Sequence, residues 1–487
     1  MRRFPLVPSV LALSLILAVG CANGGVERYD VVIAEGRVMD PESGLDAVRW
    51  IGIQEDRIAA ISESPLEGVL VLDAAGLVVS PGFIDLHAHG QDDENYRLFA
   101  MNGVTTALEM EVGTADVEGW YAAREGRALL NHGVSVGHVR LRMEMYDDVG
   151  DLLPSGPGGY SRATGAELDH LRAGIGTGLD GGALGVGFGL QYTPGATRWE
   201  VLEMFREAAA FGAPVFVHGR GFGTEEPGGS VESFLEILGA AALTGAPLHI
   251  AHLNSMSLEE TPRTLTMVAE AKARGMDVTT EAYPYSAGLT AIESALLDQY
   301  EDAPDSALAQ LQWAATGEWL DRESFQRYRS QGGPVVLHLN TPRMEAMAVE
   351  SPLTAIASDG GLRNGVGHPR TAGTYARVLG HYVRERGNLS LMEAIRKMAL
   401  IPAQRLESWA PAFQDKGRIR VGADADLAIF DADAVEDRAT YAEPGLPAVG
   451  FHHVLVNGAP VVQNGTVVEG VLPGRAARAP VRTGRGR

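Results

Sequence analysis

Short, nearly continuous apolar runs alternate along the middle of the chain with segments of helical period. The strand-like runs are GFIDLHAH, VTTALEME, VSVGHVRL, ALGVGFGL, APVFVHG, APLHIAHL, MDVTTEAYPY and LTAIASDG. Their density of Val, Ile, Leu and Ala is that of strands covered on both faces of a parallel sheet. Between them, segments such as RWEVLEMFREAAAFG and TLTMVAEAKARG close on a glycine suited to a helix C-terminus. Eight such units predict an α/β fold, a (β/α)8 TIM-like barrel over residues 81–416.

The ends of the chain have a different texture. YDVVIAEGRVMD, RWIGIQEDRIAAIS and VLVLDAAGLVVSPG near the start, and GRIRVGADADLAIFDAD and FHHVLVNGAPVVQNGTVV near the end, are β-rich and broken by Gly, Asp and Pro. They predict one small β-sandwich built from residues 26–80 and 417–475, with boundaries near Pro81 and Lys416. Residues of about 289–350 fit no simple βα pattern and are expected to form an insertion over the barrel mouth. The basic stretch at 476–487 is expected to be a frayed tail.

At 487 residues, with 45% hydrophobic and 21% charged positions, the chain is that of a folded globular protein. A formal charge of −22 argues against nucleic acid, whose phosphates it would repel. A small-molecule substrate is the expected partner. Cys21 is the only cysteine, so no disulfide framework exists and no thiolate is left in the folded body for a metal. Any metal site must be made of histidine and carboxylate.

Residues 1–20 combine a basic start with a short apolar stretch, and Ala18-Val19-Gly20-Cys21 resembles a bacterial lipobox. The resemblance implies cleavage before Cys21, lipid on that sulfur, and an exported protein held to the membrane by its anchor alone, on the periplasmic or cell-surface side.

The polar residues that interrupt the barrel strands carry the chemistry. His87 and His89 end the first run, Glu109 and Glu111 the second, His218 the fifth, His252 the sixth and Asp359 the eighth. Strand side chains alternate faces, so His87 and His89 point the same way, and so do Glu109 and Glu111. In a barrel of this kind the C-terminal strand ends form the active-site face. Burying such groups there is costly unless they share a cation, and zinc accepts this donor set while keeping a position open for water. One or two zinc ions are expected.

PGFIDLHAH, VFVHGR, HIAHLNS and IASDGG together resemble the amidohydrolase superfamily, and GVTT, YPYSAG and HPRTAGTYARVLG resemble its N-acyl-D-amino-acid deacylases, from about residue 28 to 470. The resemblance implies that His87 and His89 hold one metal site and His218 and His252 the other, with Asp359 as ligand and catalytic base. Where these deacylases usually supply a cysteine after the GVTT strand, this chain has none, and a glutamate is the expected replacement: Glu111, nearer the strand end, with Glu109 second. The three lysines, Lys272, Lys397 and Lys416, fall in helical patterns or at the domain boundary, which closes the carboxylated-lysine bridge used by other members. The family's usual lysine after the sixth-strand histidine is Asn254 here, and a usual Ser or Thr is Leu289. Tyr283, Arg377, Asn254 and His368 are the expected substrate contacts, with Arg377 offering a bidentate fork for an anion.

The implied reaction is hydrolysis of a linear amide, most directly an N-acyl-D-amino acid. A divalent ion shifts the pKa of water from about 15.7 toward about 7 and polarises the carbonyl, and Asp359 acts as general base and then acid. The alternatives are a cyclic amide or a dipeptide as substrate, or an inactive barrel that binds ligands as a lipoprotein.

Overall fold

The computed structural model describes Met1 and residues 28–482. Cys21 and the lipobox-like segment lie outside the described residues. Eight parallel strands form one sheet: β1 (Phe83–Asp85), β2 (Val104–Thr114), β3 (Asn131–Gly137), β4 (Val186–Gly189), β5 (Val215–His218), β6 (Leu248–Ile250), β7 (Val278–Ala282) and β8 (Thr354–Ile356). Spatial order follows chain order. The seam between β8 and β1 is bridged just past the strand ends, where His89 N donates to Gly360 O at 2.7 Å, so the barrel is nearly closed.

Local sequence explains the elements. The helix Arg198–Phe211 starts where the Thr197 side chain accepts from the Glu200 amide and stops at Gly212, whose φ of 75° is open to glycine at little cost. Gly187 on β4 meets a different demand, because a Cβ there would lie 2.2 Å from the carbonyl oxygen of Glu111. The run VSVGHVRL is split: β3 ends at Gly137, and His138–Met145 is helical.

Strands from both chain ends form a second, nine-stranded sheet. Val78–Pro81 pairs antiparallel with Leu427–Phe430, which ties the ends together. Eight of its strands follow one path and the ninth, Glu67–Asp73, branches off to pair with Arg28–Asp40, beside an apolar cluster that includes Val31, Ile33, Ile51, Ile53, Leu427 and Leu455.

The insertion is a three-stranded antiparallel sheet of Gly288–Ala291, Pro334–Leu337 and Leu311–Trp313, with the helix Arg322–Gln331. Trp313 stacks on Tyr328 at 4.1 Å within an apolar cluster that the insertion shares with Val112, Val139, Met143 and Tyr192 of the barrel. The expected span runs too far, since Pro342–Glu350 is the helix that precedes β8 and belongs to the barrel.

The tail expectation is corrected for residues 476–482. Ala477 N donates to His132 O at 2.8 Å, Ala479 N donates to Gly182 O at 3.1 Å, and the Arg478 guanidinium covers the Tyr121 ring at 4.7 Å. Those bonds at the N-terminal end of β3 offset the entropy of ordering a polar segment. Among the described residues no helix is long and apolar enough to cross a membrane.

Candidate active site and metal centre

Seven ionisable side chains from five strands meet at the C-terminal face of the barrel. His87 and His89 follow β1, and their Nε2 atoms lie 3.1 Å apart. Asp85 sets their position: its Oδ1 accepts from the amides of both His87, at 3.1 Å, and Ser358, at 3.0 Å, which binds the segment of His87 to that of Asp359. Glu111 Oε2 is 2.6 Å from His87 Nε2 and 3.4 Å from His89 Nε2, and Asp359 Oδ1 is 3.4 and 3.2 Å from the same two nitrogens. On the other side, His218 Nδ1 approaches Glu111 Oε1 at 2.8 Å, and His252 Nε2 lies 4.0 Å from both Glu111 Oε2 and Asp359 Oδ2. Glu111 is therefore common to two donor groups, His87/His89/Glu111/Asp359 and Glu111/His218/His252.

Two of these residues have unusual backbones. His252 has φ of 25° and Asp359 φ of 53°, the left-handed region that non-glycine residues rarely occupy. Such strain, of order 1–3 kcal/mol, persists where surrounding structure holds it and clusters at functional sites. Here Gly360 follows Asp359, and its amide donates to Ser358 Oγ at 3.0 Å.

The two glutamates of β2 do different work. Glu111 faces the four histidines, whereas Glu109 turns back on its own strand: one oxygen accepts from Val112 and Gly113 amides and the other lies 2.8 Å from His89 Nδ1. Each histidine has such a partner behind it. His87 Nδ1 meets Glu281 Oε1 at 2.6 Å, His218 Nε2 meets Gln191 Oε1 at 3.1 Å, and His252 Nδ1 meets Ser255 Oγ at 3.0 Å. Donation to these acceptors leaves each ring's other nitrogen with its lone pair toward the centre.

The donor set fits zinc. Bonds of about 2.0–2.2 Å in a tetrahedron put ligand atoms about 3.4 Å apart, close to most of the separations around His87, His89, Glu111 and Asp359. Glu111 Oε1 and His218 Nδ1 are buried without a well-formed hydrogen bond. The charge balance points the same way. Burial pushes the His87 pKa down, but Asp359, Glu111 and Glu281 outweigh it and hold the ring well above its ordinary value. His89 is raised as well, against burial, by Glu109, Asp359 and Glu111. Burial, with His218 beside it, drops the His252 pKa to about 4 despite Asp359. The buried carboxylates thus exceed the fixed positive charge, and a divalent ion balances them.

Two cavities meet over this centre. One, of about 550 Å³, is lined by His218, His252, Tyr283 and Arg370 and by apolar Phe222, Met256, Leu258, Leu337 and Leu339. The other, of about 1280 Å³, reaches His89 and Glu111 and carries Asp92, Glu94, Asp151 and Glu293 on its walls. Tyr192, Leu289, Thr290, Asp359 and Arg370 line both.

Of the expected substrate contacts, only Tyr283 lines a cavity. Arg377 is corrected: its Nε donates to Pro284 O at 2.7 Å, and Nη1 faces Asp437 at 3.5 Å. Asn254 is fully buried and braces β7, its amide exchanging bonds of 3.1 and 3.4 Å with the Tyr283 backbone. His368 is buried behind the loop, its Nδ1 accepting from the Arg370 amide at 3.0 Å and its ring set against Tyr285 and Tyr441. The cation at the site is Arg370, two residues after His368. Its Nη1 lies 2.8 Å from Asp359 Oδ2, and its guanidinium stands 4.7 Å over the Tyr283 ring. Glu281, His249 and Tyr192 were also missed. Glu281 was findable, because it interrupts MDVTTEAYPY as Glu109 and Glu111 interrupt their strand.

An eight-stranded barrel whose catalytic face gathers four histidines, a glutamate and an aspartate into two donor groups that share Glu111 defines a metal-dependent hydrolase of carbon–nitrogen bonds. A model of the amidohydrolase family matches residues 78–468. The chain belongs to that family. It is 30% identical to the N-acyl-D-glutamate deacylase of Alcaligenes xylosoxydans xylosoxydans, over 89% of this chain and 94% of the relative, and 30% identical to the D-aminoacylase of the same organism, over 90% and 95%. The crystal structure of the Bordetella bronchiseptica N-acyl-D-glutamate deacylase, complexed with zinc and a phosphonate mimic of the tetrahedral intermediate, superposes with a TM-score of 0.80 at 26% identity, covering 93% of this chain and all of that one.

Proposed function

We propose that the protein is a zinc-dependent deacylase of N-acyl-D-amino acids, with a preference for apolar side chains. The observation that carries this reading is the juxtaposition of Asp359 with Arg370 at the edge of an apolar cavity. His87, His89, Glu111 and Asp359, with His218 and His252, would hold the zinc, which would supply Lewis acidity to water and to the scissile carbonyl. Asp359 takes the proton of the attacking water and returns it to the leaving nitrogen. Burial alone would raise the Asp359 pKa, but Arg370 and His87 hold it well below the usual carboxylate range, so it is an available base at neutral pH. Arg370 and Tyr283 receive the substrate carboxylate, Arg370 through its buried Nε, which has no hydrogen-bond partner in the protein. The side chain enters the cavity of Phe222, Met256 and Leu258. The Tyr192 phenol is driven far above its ordinary pKa by burial and by Glu111, so it stays protonated and donates to the oxygen that gains charge.

The larger acidic cavity supports a second reading, in which the acyl part is an aminoacyl group whose ammonium lies among Asp92, Glu94 and Glu293. One assay panel separates the two: N-acetyl-D- and L-amino acids, dipeptides ending in a D-residue, and cyclic amides. Stereospecific release of acetate supports the deacylase, turnover of dipeptides alone replaces it with the second reading, and no turnover of any amide by zinc-loaded protein refutes both.

The lipobox-like segment at Cys21 supports export and lipid anchoring. Metabolic labelling with palmitate tests it: label lost in Cys21→Ala upholds the anchor, and wild-type protein without label removes it.

A further inference from the structure

The strands Leu427–Phe430 and Phe451–Val456 of the terminal sheet pair antiparallel as neighbours, yet residues 431–450 lie between them. A hairpin loop takes about two to five residues, and connections beyond about 12–15 without regular structure of their own are mostly functional. This one leaves its sheet and settles on the loops that carry the active site. Its Ala439 shares an apolar cluster with Leu98, Leu362 and Ala372, beside the segment that follows Asp359.

Asp437 and Tyr441 make its polar and aromatic contacts. Asp437 Oδ2 accepts from the Tyr285 hydroxyl at 3.3 Å and faces Arg377 Nη1 at 3.5 Å. The Arg377 guanidinium stands 5.1 Å over the Tyr285 ring, and its Nε donates to Pro284 O. One carboxylate thus fixes both groups that grip the residue next to Tyr283. Gly373 leaves room for it, because a Cβ there would lie 2.2 Å from the Tyr285 hydroxyl and 3.0 Å from Asp437 Cβ. Tyr441 bears on Arg370. Its ring and that of Tyr285 meet the buried His368 ring edge-on, at 5.1 and 5.3 Å, and His368 Nδ1 accepts from the Arg370 amide. On its outer side Tyr441 rests against His338 of the insertion at 5.0 Å. Neither Asp437 nor Tyr441 lines either cavity, so substrate contact does not explain them.

We propose that the terminal sheet is part of the active site: through Asp437 and Tyr441, two positioning residues, it holds Tyr283 and Arg370 in place for an anionic group of the substrate. Charge-assisted bonds are directional, so a small displacement of either partner weakens them. The proposal rests on the carboxylate-binding role proposed for Arg370 and Tyr283 but is separable from the deacylase reading.

The test uses zinc-loaded protein and two substrates that differ in one charged group, N-acetyl-D-leucine and N-acetyl-D-leucinamide. Asp437→Ala raises KM for the first by about 10-fold with kcat within about 3-fold, as the loosening of a charge-assisted bond requires, and leaves the second unchanged. Asp437→Asn, which keeps an acceptor for Tyr285, returns KM close to that of the unaltered enzyme. Tyr441→Ala repeats the KM effect, and Tyr441→Phe, which keeps the ring, does not. An unchanged KM in both alanine variants, or equal losses on both substrates, reduces the two residues to structural supports and overturns the proposal. Crystal structures of the alanine variants read the same point without turnover: displacement of Arg370 and Tyr283 upholds it, and both unmoved overturns it. Protein that hydrolyses no N-acyl amino acid removes the deacylase reading alone, and those structures then decide. If Asp437→Ala does not fold, Tyr441→Ala is judged by the same criteria.

Discussion

Asp359 and Arg370 form a buried pair whose members face opposite ways: Oδ2 of the aspartate meets the guanidinium at 2.8 Å, while Oδ1 turns to His89 at 3.2 Å. The arginine therefore acts on the base as well as on a substrate carboxylate. In Arg370→Ala the base loses the leading cationic influence that holds its pKa down against burial. A carboxylate of depressed pKa is active above that pKa and is lost as pH falls through it, so the acid limb of kcat/KM moves to higher pH in the variant. KM for N-acyl amino acids rises by about 10- to 100-fold, the loss of one charge-assisted bond. An unchanged acid limb would remove Arg370 from the control of Asp359.

Asp359→Asn keeps the shape of the side chain and removes the base. Turnover falls by about 10²- to 10⁴-fold, and the circular dichroism spectrum is unchanged. Activity retained within a few-fold assigns proton transfer to another group.

Glu111 and Glu109 separate by metal content. Glu111→Gln removes the carboxylate common to both donor groups, and zinc measured by atomic emission falls after dialysis. Glu109→Gln leaves the ligand atoms in place and removes the negative charge behind His89, so zinc stays bound but is lost to a competing chelator about 10- to 100-fold more readily. The reverse pattern would exchange their roles.

Tyr192→Phe removes one phenolic donor from the wall common to both cavities. Loss of a single donor to a developing oxyanion costs about 10²- to 10³-fold in kcat, with KM nearly unchanged. A rise in KM with kcat preserved makes Tyr192 a binding residue instead.

Zinc removal lowers stability. Ligand at about 100 times its Kd stabilises the folded state by about 2.7 kcal/mol, and chelation withdraws that contribution and leaves the excess buried carboxylate charge. Thermal unfolding followed by calorimetry, with chelator and again after zinc is restored, reads the change in both directions. Identical transitions in all three states would show that no ion is coupled to folding.

Period and composition alone determined the eight barrel strands, the sheet contributed by both chain ends, and the interruption of apolar runs by His87, His89, Glu111, His218, His252 and Asp359. These were legible because an ionisable group in a strand covered on both faces has few reasons to be there. Tertiary structure alone decided the rest. Arg377 and Arg370 lie seven residues apart in one helix, two turns along nearly the same face, and nothing in their local sequence says which one reaches the cavity; their positions along the helix axis, one beside Asp359 and the other beside Asp437 from the far end of the chain, settle it. Likewise Glu109 and Glu111 share a strand face, and only the bulge at Val112 and Gly113, which claims one carboxylate for its amides, leaves the other free for the centre. Alternation specifies the face a side chain takes, but its partner is set by contacts between segments far apart in the chain, which local period does not encode.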